Sequence, residues 1–510
     1  MLWCIVVLAT CFKILLIKTY YSTDFEVHRH WLALTSSRPW KFWYTDTTSQ
    51  WTLDYPPFFA WFEWCLSLFA SVFDPNMLRL SSAPYTSEGT LYFLRLTVIA
   101  SDFVLFYGVY VLSYYLTTNP IRKCSQYKAR WKSPTTIFQV LVLGNMGLLL
   151  VDHIHFQYNG LLLGILLLSI SHILNGRHCW AAFWFIFLIH MKHIFMYMAP
   201  VFFIYLLRNH CMVNEGDRLK WEWRKAGVLA TIVLAVTAVS CGPYILAGQF
   251  FQLLSRLFPF KRGLTHAYWA PNVWAIYNFC DKFLCFFAHR LGYQLQSSVG
   301  HLTGGLVSDS VHLVLPTITP KITFILTALA IVPCLIKLWK SAGNPLHFVR
   351  ALVLCTTSAF LFGWHVHEKA ILMVIIPHSL LAVIWRKEAE TYAFLSTVGH
   401  YSLLPLLFTT KEILLKYLLF ILQTWYTLTH LRDLFHAELL CRRETLYLYG
   451  LFGISVYDIF GVYMFPFLKD YQFLPLMISS VYCSLGITYV YLKYYFSFVL
   501  SSATNKRVTF

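Results

Sequence analysis

Apolar stretches of helical length recur along the whole chain, from Leu2–Ile17 through Leu91–Leu116, Ile137–Val151 and Gly160–Leu174 to Leu446–Phe465 and Leu474–Val499, with short polar connections between them. A helix needs about 20 apolar residues to cross the hydrocarbon core of a bilayer. The pattern predicts an all-α polytopic membrane protein with about 14 transmembrane helices. Two further runs are ambiguous: Glu63 interrupts Phe58–Phe73, and Asp281 with Lys282 interrupts Val273–Ala288.

Charge distinguishes the alternatives. If neither ambiguous run spans, the basic connections at 122–132, 208–225, 337–350 and 432–443, the pair Arg386–Lys387 and the tail Lys506–Arg507 all fall on one face. That face is then the cytoplasm, because cytoplasmic loops collect Lys and Arg. Both chain ends lie there too, and the long loops 20–90 and 249–320 lie on the opposite face, carrying interfacial helices. Lys13 and Lys18 sit on the unfavoured side of the first helix. The run Leu2–Ile17 lacks a basic n-region and a small-residue cleavage site, so it reads as a retained helix rather than a removed signal. The whole chain, 1–510, reads as a single integral membrane catalytic domain.

Composition agrees with the pattern: 58% hydrophobic and only 12% charged residues exclude a soluble enzyme and a disordered regulator. The surplus of 40 Lys+Arg over 23 Asp+Glu would suit nucleic acid in a soluble chain. Here the positive-inside bias accounts for it, and no nucleic-acid partner is expected. The 13 cysteines are scattered, without C-x-x-C, and read as small hydrophobes rather than a disulfide framework.

Candidate chemistry gathers on the face opposite the basic loops. In Ser22–Trp31, Thr23 and Glu26 have capping-box spacing, which puts Asp24 in a first helical turn with His28 one turn on. Asp24 can be a general base held by that turn, or simply a favourable charge at a helix N-terminus. In WTLDYPPFF the proline pair fixes Asp54 on an extended corner, where it can grip sugar hydroxyls or remain a solvated helix-start residue. Asp152, His153, His155, Gln157 and Asn159 crowd one connection. Unpartnered polar groups in lipid cost several kcal/mol, so this density reads as a polar network. Two or three metal ligands there make no tetrahedral set, and no metal is expected. His365, His367, Glu368 and Lys369 can bind phosphate or form a solvated loop. Arg256 and Arg262, among aromatics, can clamp an anionic headgroup or snorkel to the interface.

The segments TDFEVHRHW, WTLDYPPFFAWFEW, VDHIHFQYNG, RLFPFKRGLTHAYWAPN, GWHVHEKAIL and STVGHYSLLPLLF resemble the dolichyl-phosphate-glucose-dependent glucosyltransferases of the endoplasmic reticulum, within the GT-C class. The likeness runs from Tyr20 to Tyr495. Two enzymes of that family add the first and the second glucose to the lipid-linked oligosaccharide, and the wording here is similar to the second. The resemblance implies dolichyl phosphate glucose as donor, Glc1Man9GlcNAc2 diphosphodolichol as acceptor, an α-1,3 linkage formed with inversion, and no cofactor or metal. It makes Asp24 the base. His365, His367, Lys369, Arg256 and Arg262 become candidates for the departing phosphate, and Asp54, Asp152, His155, Gln157, Asn159 and Glu368 for sugar contacts. A Man9 acceptor is the near alternative. A transporter is the remote one, disfavoured because the acids and histidines gather at one face rather than the bilayer midplane.

Overall fold

A computed structural model describes residues 1–119, 130–216, 218–258, 262–266, 269–293, 312–341, 343–464 and 473–500. Much of the basic segment 122–132 and part of the second long loop lie outside these residues, as does the tail. The regular structure of the described chain is helical apart from one hairpin, in which Met212–Glu215 pairs antiparallel with Arg218–Trp221 inside the basic segment 208–225. That hairpin is the correction to an all-helical expectation.

Among the described residues six helical stretches are long and apolar enough to cross a membrane: Glu88–Thr118, Pro134–Phe156, Trp223–Leu246, Pro320–Lys340, Pro345–Phe362 and Leu474–Val499. Trp223–Leu246 and Pro320–Lys340 turn large side chains outward, with Leu234 68%, Leu246 90% and Phe324 74% exposed. Apolar surface of this extent needs lipid against it. Other apolar runs give shorter helices: Gly160–Leu174 lies in a 16-residue helix, Asn159–Leu174, and Trp180–His190 in a 14-residue one, His178–Met191.

The chain forms two compact units. One comprises Met1–Pro259, Ala342–Phe348 and Thr409–Ile413; the other comprises Phe260–Ser341, Val349–Phe408 and Leu414–Phe510.

In the first unit, helices Phe103–Thr118 and Asn159–Leu174 pack closely because both offer glycine. A Cβ on Gly164 would fall 2.5 Å from the Leu105 nitrogen, and one on Gly108 would fall 2.8 Å from the Gly164 oxygen. Membrane helices associate through such small-residue contacts because lipid gives them no hydrophobic drive toward each other. At the same junction the 31-residue stretch Glu88–Thr118 is interrupted at Asp102, whose carboxylate holds Lys13 at 2.6 Å and His153 at 2.8 Å, all three side chains buried. The lysine that defied the charge rule is thus paired inside the fold.

Helix Pro134–Leu143 starts on Ser133, which accepts the Thr136 N–H. After Gly144, Asn145 caps a restart that widens into a π-helical turn, Leu149–Phe156. The sequence reading made Asp152–Asn159 a connecting loop. Residues 152–156 are instead helical and buried, and the chain breaks only at Phe156, with φ 89°, and the extended Gln157. π-turns inside helices often accompany functional sites.

In the second unit a buried network joins Arg350, Glu388 and His378 at 2.7 Å and 3.1 Å.

Candidate functional site

Asp24 occupies the first turn of helix Thr23–Ser37, but its cap is Ser22, not Thr23. Ser22 is extended, and its Oγ accepts the Asp24 N–H at 3.1 Å. Glu26 does not close a capping box; it pairs with Arg29 and accepts the Tyr85 N–H at 3.1 Å. Asp24 is therefore released from capping. Its Oδ2 accepts from Gln157 Nε2 at 2.7 Å and lies 3.4 Å from His155 Nε2.

From Gln157 a hydrogen-bonded chain runs inward. Gln157 Oε1 accepts from Asn159 Nδ2 at 2.9 Å, the same amide donates to Asp152 Oδ1 at 2.8 Å, and the Gly160 N–H donates to Asp152 Oδ2 at 2.6 Å. Asp152 is fully buried, whereas the Asp24 side chain keeps 26% of its exposure. Of the two carboxylates, Asp24 is thus the one that an incoming hydroxyl can reach.

Asp54 belongs to the same neighbourhood. Pro56 and Pro57 start helix Pro57–Ala70, and Tyr44 Oη donates to the Tyr55 carbonyl at 2.7 Å, fixing the corner. Burial, then the carboxylates of Asp54, Asp24, Asp152 and Glu63, hold the Tyr55 phenol well above its ordinary range, so it remains a hydroxyl. The sequence reading missed Lys192. Its Nζ lies 3.4 Å from Asn159 Oδ1 and 4.9 Å from the centre of the Tyr55 ring, bringing a cation to this group of acids. The signal available was a lone lysine inside the apolar LIHMKHIFM.

Glu63 and His28 pair at 2.7 Å, both buried. Burial pushes the Glu63 carboxyl above its usual value even though His28 opposes the shift. Rings of Trp31, Tyr55, Phe59, Phe156 and Tyr158 surround the imidazole. His28 is on the face expected from the sequence, but its Nδ1 is committed to Glu63.

The phosphate candidates separate. Arg256, on helix Phe250–Leu257, donates to the carbonyls of Tyr44 at 3.0 Å and Asp46 at 3.4 Å, within the first unit. Arg262, His365, His367, Glu368 and Lys369 belong to the second unit, where two separate sequence motifs form one structure. Thr265 bridges Val366, the His365 N–H donates to the Leu264 carbonyl at 3.0 Å, and Trp364 Nε1 donates to the Arg262 carbonyl at 3.0 Å. This seam brings in His266, part of the motif RLFPFKRGLTHAYWAPN, to which the sequence alone assigns no role. His266 Nδ1 lies 3.5 Å from Glu368 Oε2, and its ring is 4.1 Å from that of His367. His266, His367 and Glu368 each present one ligand atom within 4.8 Å of the others, the single group of metal-ligand composition among the described residues.

Burial would raise the Glu368 carboxyl, but the neighbouring His266 and the charge of Lys369 overcome it and hold it down to about 2. His365 is pushed down to about 4, by burial first, with the neighbouring His266 and Arg262 opposing the bond to the Gly263 carbonyl. At neutral pH its Nδ1–H donates to that carbonyl at 2.7 Å, and the ring is uncharged. Both groups take up protons more readily in the unfolded chain. The stability that His365 contributes is therefore full above about pH 6.5 and falls as pH drops toward 4; that of Glu368 falls from about 4.5 toward 2. His365 has φ 50°, which asparagine tolerates. His365→Asn should flatten the decline of the melting temperature between pH 6.5 and 4, measured in detergent; an unchanged slope would assign the decline to other groups.

The first constellation suits proton abstraction by an oriented carboxylate. The second, with histidines, a lysine and an ionised glutamate, suits holding an anion.

Comparison with known proteins matches residues 9–494 to the model of the ALG6, ALG8 glycosyltransferase family. A protein of Mus musculus named dolichyl pyrophosphate Glc1Man9GlcNAc2 alpha-1,3-glucosyltransferase is 46% identical over 510 residues, covering 98% of this chain and 95% of its own. A probable enzyme of that name from Drosophila melanogaster is 46% identical over 500 residues, 97% of this chain and 93% of its own. The Arabidopsis thaliana protein of the same name is 44% identical over 507 residues and 96% of each chain.

Proposed function

Because the chain belongs to the ALG6, ALG8 glycosyltransferase family, we propose that it transfers glucose from dolichyl phosphate glucose to Glc1Man9GlcNAc2 diphosphodolichol, forming an α-1,3 linkage at the lumenal face of the endoplasmic reticulum membrane. One observation supports the chemistry most directly: Asp24 is a partly exposed carboxylate, oriented by Gln157 and His155 and freed from capping by Ser22. Glucose leaves a β-linked phosphate and arrives in α linkage, so one in-line displacement suffices. Asp24 takes the proton of the acceptor 3-hydroxyl as its oxygen attacks the anomeric carbon, and the phosphate leaves from the opposite face. The candidates for stabilising the departing charge remain His365, His367, Lys369, Arg256 and Arg262, of which His365 and Arg256 also donate to backbone carbonyls. Asp54, Asp152, Asn159 and Glu368 are candidates for sugar contacts, with Lys192 added to the cations.

Purified enzyme with a defined lipid donor and both oligosaccharide acceptors tests the reading. Glucose should pass to the Glc1Man9 acceptor; transfer to Man9 instead would make this the first-glucose enzyme. Cells lacking the gene should accumulate the Glc1Man9 form, not Man9.

The transfer as drawn needs no metal. Chelator should leave turnover within about twofold of the untreated enzyme, because protein cations can take the phosphate charge. Loss in chelator with return on one divalent ion would make His266, His367 and Glu368 its first suspects.

For topology we propose about 14 spans with both ends cytoplasmic and the loops 20–90 and 249–320 lumenal. Glycosylation sequons inserted near Ser82 and near Gly300 should be modified, and one near Gln126 should not. The reverse pattern would invert the orientation.

A further inference from the structure

The residues around Asp24 come from two chain segments, 20–24 and 152–157, and their side-chain bonds are made by the ends of flexible groups. What joins the backbones is different. The π-turn stops abruptly at Phe156, so the carbonyls of its last turn have no helical partners of their own. Arg95, on helix Glu88–Ser101 and only 2% exposed, supplies them. Its Nη1 donates to the His153 carbonyl at 2.7 Å, and its Nη2 donates to Ile154 and Tyr20 carbonyls, each at 2.8 Å. Ser22 takes the next carbonyl: its N–H and its hydroxyl both donate to His155, at 3.0 Å and 2.6 Å. The same hydroxyl oxygen accepts the Asp24 N–H.

We propose that Arg95, working with Ser22, is a positioning residue for glucosyl transfer: it clamps the segment carrying Asp24 to the π-turn carrying His155 and thereby sets the direction of the carboxylate. The inference rests on Asp24 as the base. The guanidinium is suited to the task because its planar fork reaches three carbonyls on two segments at once, which an ammonium on a flexible stem does not do in one fixed geometry. Without the clamp, segment 20–24 slides along the turn, and Asp24 moves away from Gln157 and from the line of attack. Displacing a reacting group by about 1 Å can cost a factor of about 10² in rate.

The test measures kcat and the donor KM of purified Arg95→Lys, Ser22→Ala and Asp24→Asn enzymes in lipid nanodiscs, per molecule of folded, monodisperse protein. Arg95→Lys should lower kcat by about 10²-fold and Ser22→Ala by about tenfold, with the donor KM within about twofold of wild type. An arginine that only stabilised the fold would reduce the yield of folded enzyme and leave kcat per folded molecule alone. If both variants keep kcat within about threefold while Asp24→Asn is inactive, the clamp is wrong and the base stands. If Asp24→Asn itself turns over normally, the base assignment fails and the clamp with it. Should Arg95→Lys not fold, Ser22→Ala decides, since its substitution removes one side-chain hydroxyl and no charge.

Discussion

Asp24→Asn should turn over about 10² to 10⁴ times more slowly than wild type while remaining folded, the range for losing a general base. Folding should survive because Ser22, not Asp24, caps the helix, so the start of Thr23–Ser37 is untouched. Asparagine is nearly isosteric, and its side-chain oxygen can still accept the Gln157 amide that Asp24 Oδ2 accepts at 2.7 Å. The lost charge at the helix N-terminus amounts to about 0.3–1 kcal/mol. Residual turnover should run through His155, 3.4 Å from the carboxylate, rather than His28, whose Nδ1 is bound to Glu63. Affinity for the lipid donor should be unchanged. Single-turnover rates with saturating donor and acceptor measure this directly; turnover within a few fold of wild type would reduce Asp24 to a helix-start charge and move the search to Asp54 or Asp152.

Asp102→Ala should destabilise the first unit by about 3–5 kcal/mol, because removing one member of a buried charge pair strands the other. Asp102 holds Lys13 and His153 together, with 2–3% exposure at all three side chains. The fit leaves no slack: a Cβ on Gly160 would come within 2.1 Å of Asp102 Oδ1. His153 also opens the part of the π-turn that Arg95 holds, so the loss should reach activity as well as stability. Adding Lys13→Met to Asp102→Ala removes the stranded charge and should recover a substantial part of the loss, since a buried pair replaced as a whole is often close to neutral. Melting curves of the single and double variants measure the coupling. A single variant within about 1 kcal/mol of wild type would mean that Lys13 finds another partner or water when Asp102 is gone.

The apolar runs, the charge of the loops and the ordered motifs were enough to establish the membrane class, the family and the place of Asp24 in a first helical turn. These depend on local patterns: an apolar run reports what surrounds a helix, and a polar residue before an N-terminus reports how it starts. Even there the cap passed from Thr23 to Ser22, because Ser22 is also bound to the His155 carbonyl, 133 positions away. The rest was decided by which helices meet. Lys13 reads as a misplaced cation until Asp102, 89 positions on, comes within 2.6 Å of it. His266 acquires a role only when residues 262–265 meet 364–366 and bring Glu368 beside it. The segment from Asp152 to Asn159 reads as a loop because its polar density resembles one. Its backbone stays helical as far as Phe156 because Arg95 and Ser22 take the carbonyls of the last turn, while Asp102 and the Gly160 N–H hold the buried side chains of His153 and Asp152, groups that a loop would have offered to water.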